Sequence, residues 1–121
     1  MNLPQRPLGS SHVMITKTGF GAWAIGGGGW AFGRGPQNDA VSLATMRHAL
    51  KLGVNWIDTA AVYRLGHSEE VVGRLLRERP PSDRPMARDE LLKPDSIRRE
   101  CDALLRRLGV ERIDLYQFHW P

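Results

Sequence analysis

From Asn38 to Trp120 the chain alternates between two apolar periods, one helical and one strand-like, and glycine or proline marks most of the changes. Ala40, Leu43, Met46 and Leu50 recur at helical spacing behind Asn38 or Asp39, either of which can cap a helix, and Gly53 supplies its stop. Val54 to Asp58 follows as a short strand. Ser68 can cap a second helix, with Glu69 and Glu70 in its first turn and Val72, Leu75 and Leu76 as its buried stripe. Pro80-Pro81 ends it. A third helix starts near Pro94, carries Ile97, Cys101, Leu104, Leu105 and Leu108 on one face, and stops at Gly109. Ile113 to Trp120 then reads as a buried strand. Upstream, Thr18 to Gly21 forms a short strand that opens into a loop with four successive glycines, 26–29. Residues 8–18 read as a hairpin or strand, with Val13 and Ile15 alternating against His12, Met14 and Thr16. This order implies an α/β fold of parallel strands joined by helical crossovers.

One stretch breaks the pattern. Between Arg79 and Pro94 the apolar residues come only in pairs among dense prolines and charges. A central parallel strand is covered on both faces and should be apolar throughout, so the third strand of the series is expected to be missing.

The 121 residues suffice for one domain with one core. A net charge of +4 suits an anionic partner such as a phosphorylated cofactor, nucleic acid or a membrane surface. The arginines, however, spread over two helical stretches (Arg74, Arg77 and Arg79; Arg98, Arg99, Arg106 and Arg107) as solvated faces do, which argues against nucleic acid. No apolar run approaches membrane-spanning length. Cys101 is the only cysteine and falls on an apolar stripe, as a buried thiol in the cytoplasm would. The N-terminus does not read as a secretory signal. His12, His48, His67 and His119 share no metal-ligand spacing with one another or with Cys101, so no metal site is expected. Gly19 to Ala24 satisfies a dinucleotide-binding pattern on its face, but the glycines after Ile25 prevent the helix that such a loop must open.

Three residues point to proton handling. Asp58 ends one apolar strand, Tyr63 lies in the loop beyond it, and His119 ends another strand. In a parallel α/β fold they would meet at the rim where such folds place their chemistry. Each has a plainer reading: Asp58 as the cap of a turn, Tyr63 as a packed aromatic, His119 as a hydrogen-bonded strand end. A phenol with an ordinary pKa of about 10 also needs a nearby cation to give up its proton readily.

Three runs of the chain carry a family resemblance: Gly19 to Trp23, Asn55 to Tyr63 with Gly66 to Glu70, and Arg107 to Pro121. Together they resemble the N-terminal part of an aldo-keto reductase. The resemblance implies a (β/α)8 TIM barrel that uses NADP(H) to reduce aldehydes and ketones, or the reverse, on small carbonyl or sugar-like substrates. It makes Tyr63 the proton donor, Asp58 the partner of an active-site lysine, and His119 the group that orients the carbonyl. Gly21, Ala22, Trp23 and Asp58 would lie against the cofactor.

Two departures stand beside it. The family's lysine ends the strand that is expected to be missing, and Lys17, Lys51 and Lys93 do not match that position. A full barrel takes about 250 residues, roughly twice this chain. The expectation is therefore a single incomplete domain over residues 1–121, a partial barrel with an internal deletion and an early end. Alone it should have little or no activity. The alternative is a catalytically dead remnant with a folding or interaction role.

Overall fold

A computed structural model describes residues 2–83, 85–90 and 94–117. An antiparallel hairpin, β1 (Gln5–Pro7) and β2 (Met14–Thr16), sets Arg6 opposite Ile15. The hairpin is as expected, except that its first strand precedes residue 8. Alternation fails at Val13, which is 40% exposed, while Ile15 and Thr16 are both buried. The reason is a tie to a distant residue. The Asn55 side chain accepts from the Thr16 N–H at 2.9 Å and donates to the Met14 carbonyl at 2.9 Å. These bonds turn Thr16 inward.

The main sheet has four parallel strands in chain order: β3 (Phe20–Gly21), β4 (Trp56–Asp58), β5 (Met86–Glu90) and β6 (Leu115–Gln117). They are joined in turn by α1 (Asp39–Lys51), α2 (His67–Arg77) and α3 (Pro94–Leu108). Sequential order with right-handed crossovers puts all three helices on one face. There Ile57 of β4 packs with Met46, Val72, Leu75, Leu104 and Leu108 in one core. The hairpin binds at the Asn55 end of β4, at the end of the strand opposite Asp58. Trp56 joins that plug by donating to the Thr16 carbonyl at 2.9 Å. A side chain on Gly19 would overlap its indole ring.

The missing third strand is corrected: β5 occupies that place, with Ile57 beside Ala87 and Asp89 beside Tyr116. The apolar rule that argued against it applies to a sheet covered on both faces. Here the crossovers cover one face, and among the described residues no helix covers the other. A strand as polar as Met86–Glu90 is held by backbone bonding to neighbours on both sides.

The helix boundaries follow their signals. Asn38 caps α1, its side chain accepting from the N–H groups of Ala40 and Val41 at 2.9 and 3.2 Å. Gly53 and Gly109 end α1 and α3 at φ of 98° and 66°. Ser68, however, is not the cap of α2; Gly66 holds that position at φ 95°, with no side-chain bond. Ser68 is instead fully buried inside the first turn. Cys101 is half-buried rather than buried. Among the described residues no helix is long and apolar enough to cross a membrane, and no group of three His, Cys, Asp or Glu is placed to hold a metal ion.

Candidate active site

Of the predicted residues, Gly21 and Asp58 stand at the C-terminal ends of neighbouring strands. Backbone register lines up Gly21, Asp58, Arg88 and Leu115 as one row across the sheet. The chain leaves β3 through Ala22, whose N–H donates to the Asp58 carbonyl at 2.8 Å, so the two strand ends are locked together. Gly21 is exposed, Ala22 is wholly buried, and Trp23 opens a single 3-10 turn that ends at Gly26. Asp58 is half-buried at the end of β4, on the face opposite the buried Ile57.

A hydroxyl relay behind this rim fixes it. The Ser68 hydroxyl donates to the Ala22 carbonyl at 2.9 Å and lies 3.0 Å from the Thr59 hydroxyl, with both side chains buried. The first turn of α2 is thereby tied to the ends of both β3 and β4. Buried hydroxyls without partners would be costly, so the relay admits one arrangement of the two loops.

Tyr63 lies in the loop between β4 and α2 and is 9% exposed. Its ring is packed against Trp30 at 6.3 Å between centroids and 41° between planes. Its backbone fills the space where a Cβ on Gly26 would stand, 3.2 Å from the Tyr63 carbonyl carbon. The glycines of the first loop therefore let that loop fold down onto Tyr63. Trp30 and Phe32 meet edge to face at 6.0 Å, and Arg34 stacks over Trp23 at 4.5 Å. Aromatic rings thus organise a segment that the sequence shows only as a flexible connection.

The structure brings Gly21, Ala22, Trp23, Asp58 and Tyr63 to one end of the sheet. His119 lies outside the described residues, as does Lys93. Lys17 sits in the turn leading into β3, its N–H bonded to the Pro4 carbonyl of the hairpin, and Lys51 is the last residue of α1. Both mark the opposite end of the sheet from Asp58. The position beside Asp58 on the neighbouring strand belongs to Arg88, not to a lysine. That cationic residue was missed because its strand was not expected.

An acidic clamp steadies the start of α2. Asp39 of α1 lies 2.9 Å from the His67 ring nitrogen and 2.9 Å from Arg74. Partial burial acts to raise the Asp39 pKa. The His67 hydrogen bond and charge, with Arg74, outweigh it and hold the carboxyl below its ordinary value. The sign is that of a depressed carboxylate: its contribution to stability is present above the unfolded-state pKa and is lost as pH falls through the lower folded value. Asp39→Asn is therefore expected to flatten the acid side of the stability profile between pH 5 and 3, read as urea midpoints. Parallel profiles for the two proteins would sink this account.

Comparison with known proteins decides the family. Residues 18–121 match the model of the Aldo/keto reductase family. The chain belongs to the aldo/keto reductase family. It is 34% identical over 138 residues to the NADH-specific methylglyoxal reductase of Escherichia coli, covering 94% of this chain and 41% of that protein. A glycerol dehydrogenase from Gluconobacter oxydans superposes with a TM-score of 0.79 at 36% identity, covering 97% of this chain and 39% of that one. An aldo-keto reductase from Klebsiella pneumoniae in complex with NADPH gives a TM-score of 0.74 at 28% identity, covering 88% of this chain and 36% of that one. The chain thus spans about two fifths of such relatives. Its open parallel sheet with helical crossovers is part of their TIM barrel and does not close. The match runs over 138 positions but takes in only 94% of the 121 residues, about 114, so about 24 positions of the Escherichia coli protein have no counterpart here.

Proposed function

We propose that residues 1–121 form a single incomplete aldo-keto reductase domain whose rim is built for NADP(H)-dependent reduction of small aldehydes and ketones, or the reverse oxidation. The observation that carries this is the gathering of Gly21, Ala22, Trp23, Asp58 and Tyr63 at one sheet end in a chain of that family. The rim fits a nicotinamide. Gly21 is exposed with no atom within 4 Å of where a Cβ would stand, so bare backbone faces the space above the strands. When bound, the nicotinamide supplies or accepts the hydride.

The chain's own residues supply the rest. Tyr63 donates the proton to the carbonyl oxygen, packed into a fixed position by Trp30. Asp58 holds a carboxylate at the strand end beside the register position of Arg88. His119 orients the carbonyl. Relatives named for methylglyoxal and glycerol support a small polar or sugar-like substrate. The cofactor choice rests on the Klebsiella complex with NADPH and on the net charge of +4, against a relative named NADH-specific.

The isolated chain has little or no turnover in this reading. Arg88, not a lysine, holds the register position beside Asp58, and among the described residues the four-stranded sheet does not close into a barrel. Among the described residues β3 and β6 each have one unpaired side. The same open edges favour the second reading, a catalytically silent remnant completed by another chain. Pure protein should consume NADPH with methylglyoxal no faster than buffer does. Consumption above that rate, abolished in Tyr63→Phe, would overturn the inactivity. The site itself is tested separately: NADPH should shift the amide resonances of Gly21 to Trp23, and unmoved resonances would favour the remnant.

A further inference from the structure

The loop after β3 and the residue after Tyr63 together wall an open cleft of about 630 Å³. Four glycines line it (Gly28, Gly29, Gly33 and Gly35), and Gln37 and Arg64 bring polar side chains. The Gly33 N–H is spent on the Trp30 carbonyl at 3.0 Å. Those of Gly28, Gly29 and Gly35 donate to no partner among the described residues. The Arg64 guanidinium likewise has no ion-pair or hydrogen-bond partner among them, and its Nη1 is turned back over Gly27, 3.5 Å from where a Cβ would stand there.

The backbone that aims this arginine is unusual. Arg64 and Leu65 are the two non-glycine residues described with positive φ, each at 52°. Side chains disfavour this left-handed region, and such outliers persist where the surroundings over-determine them. Here the loop is held between the buried Tyr63 and the Gly66 cap. An arginine thereby lines a cleft together with Gly28, Gly29 and Gly35, whose N–H groups have no partner among the described residues, and N–H groups of this kind can form a nest suited to an anion.

We propose that this cleft binds the anionic group of a small carbonyl substrate, a carboxylate of the 2-oxo acid type, with Arg64 and the Gly28, Gly29 and Gly35 amides as its ligands. This rests on the reading of Tyr63 as proton donor, since the cleft adjoins that residue. A forked guanidinium matches the two oxygens of a carboxylate, and the free amides complete the shell. The +4 chain thus has a specific place for the anion its charge suits.

The test uses the 121-residue chain and nuclear magnetic resonance, with pyruvate as probe, acetone as its uncharged counterpart, and NADPH as a separate arm. Pyruvate should move the Gly28, Gly29 and Gly35 amides saturably, and acetone should not. Arg64→Gln, checked for an unchanged melting transition, should weaken pyruvate at least about fivefold, whereas Arg64→Lys should recover part of the affinity. Equal pyruvate response in Arg64→Gln, or equal response to acetone, overturns the proposal. So does NADPH moving these glycines with Arg64 dependence while pyruvate does not, which would assign the cleft to a cofactor phosphate. The outcome is separable from that of the reductase reading, because NADPH shifts at Gly21 to Trp23 report on the rim whatever the glycine cleft does.

Discussion

Replacing Arg107 with methionine is expected to cost the fold about 3 kcal/mol, several times what a surface ion pair is worth. Glu69, in the first turn of α2, is fully buried, and its carboxylate pairs with the Arg107 side chain of α3. Methionine keeps most of the unbranched stem that packs against Gly66 and removes the guanidinium, with its charge and its N–H donors. What remains is a buried carboxylate without its cation, the expensive half of such a pair. The second variant decides the mechanism. Glu69→Leu combined with Arg107→Met should return to within about 1 kcal/mol of the parent, because an apolar pair of similar volume has no desolvation to offset. Urea unfolding reads both. A loss under 1 kcal/mol in the single variant, or a double variant no better than the single, would show that the pair is not acting as a buried charge couple. The consequence reaches the site, since Arg107 lies against Gly66, where the Tyr63 loop passes into α2.

Glu69 also shows where the sequence stops being legible. An acidic residue in a helix's first turn is read as a solvated anion favoured by the helix dipole, and nothing within a turn contradicts that. Its partner lies 38 residues away, so only tertiary structure shows that it is buried. The local signals were readable for the opposite reason. Asn38 caps α1, Gly53 and Gly109 stop their helices, and Val72, Leu75 and Leu76 are buried because each depends on neighbours within a turn. The same contrast divides the site. Gly21 and Asp58 could be placed at strand ends from short apolar runs. Ser68 looked like a cap, yet its hydroxyl reaches back 46 residues to the Ala22 carbonyl.

The lost strand is the instructive failure. Its residues do not have the composition of a buried parallel strand, and the inference from composition assumed a sheet covered on both faces. With helices on one face only among the described residues, backbone pairing to β4 and β6 suffices, and Arg88 takes the register position beside Asp58. A residue's register depends on its neighbours' pairing, which no window of the sequence contains. For the same reason Trp30 was not connected with Tyr63. The glycines before Trp30 read as freedom, whereas in the fold Gly26 permits a close approach to Tyr63.

Gly73→Ala carries the second large effect, and its sign opposes the usual rule. Gly73 lies in the middle of α2, where exchange for alanine ordinarily stabilises a helix by about 1 kcal/mol. Here α2 crosses the end of α3. A Cβ on Gly73 would stand 2.6 Å from the Leu108 carbonyl oxygen and 2.7 Å from that of Arg107. Both are backbone atoms at a helix end, and Leu108 is itself wholly buried, so neither can rotate away as a side chain would. The helices must separate, loosening the contact of Leu75 and Leu76 with Leu104 and Leu108. Overpacking of this kind costs about 1–3 kcal/mol, enough to exceed the propensity gain. A net loss of about 2 kcal/mol is therefore expected in urea unfolding. Gly73→Ser should lose at least as much, because it adds bulk without alanine's helix preference. Stabilisation by alanine would mean that α2 and α3 do not meet at this glycine. The ion pair of Glu69 with Arg107, one turn away on the same two helices, would then lose its structural basis as well.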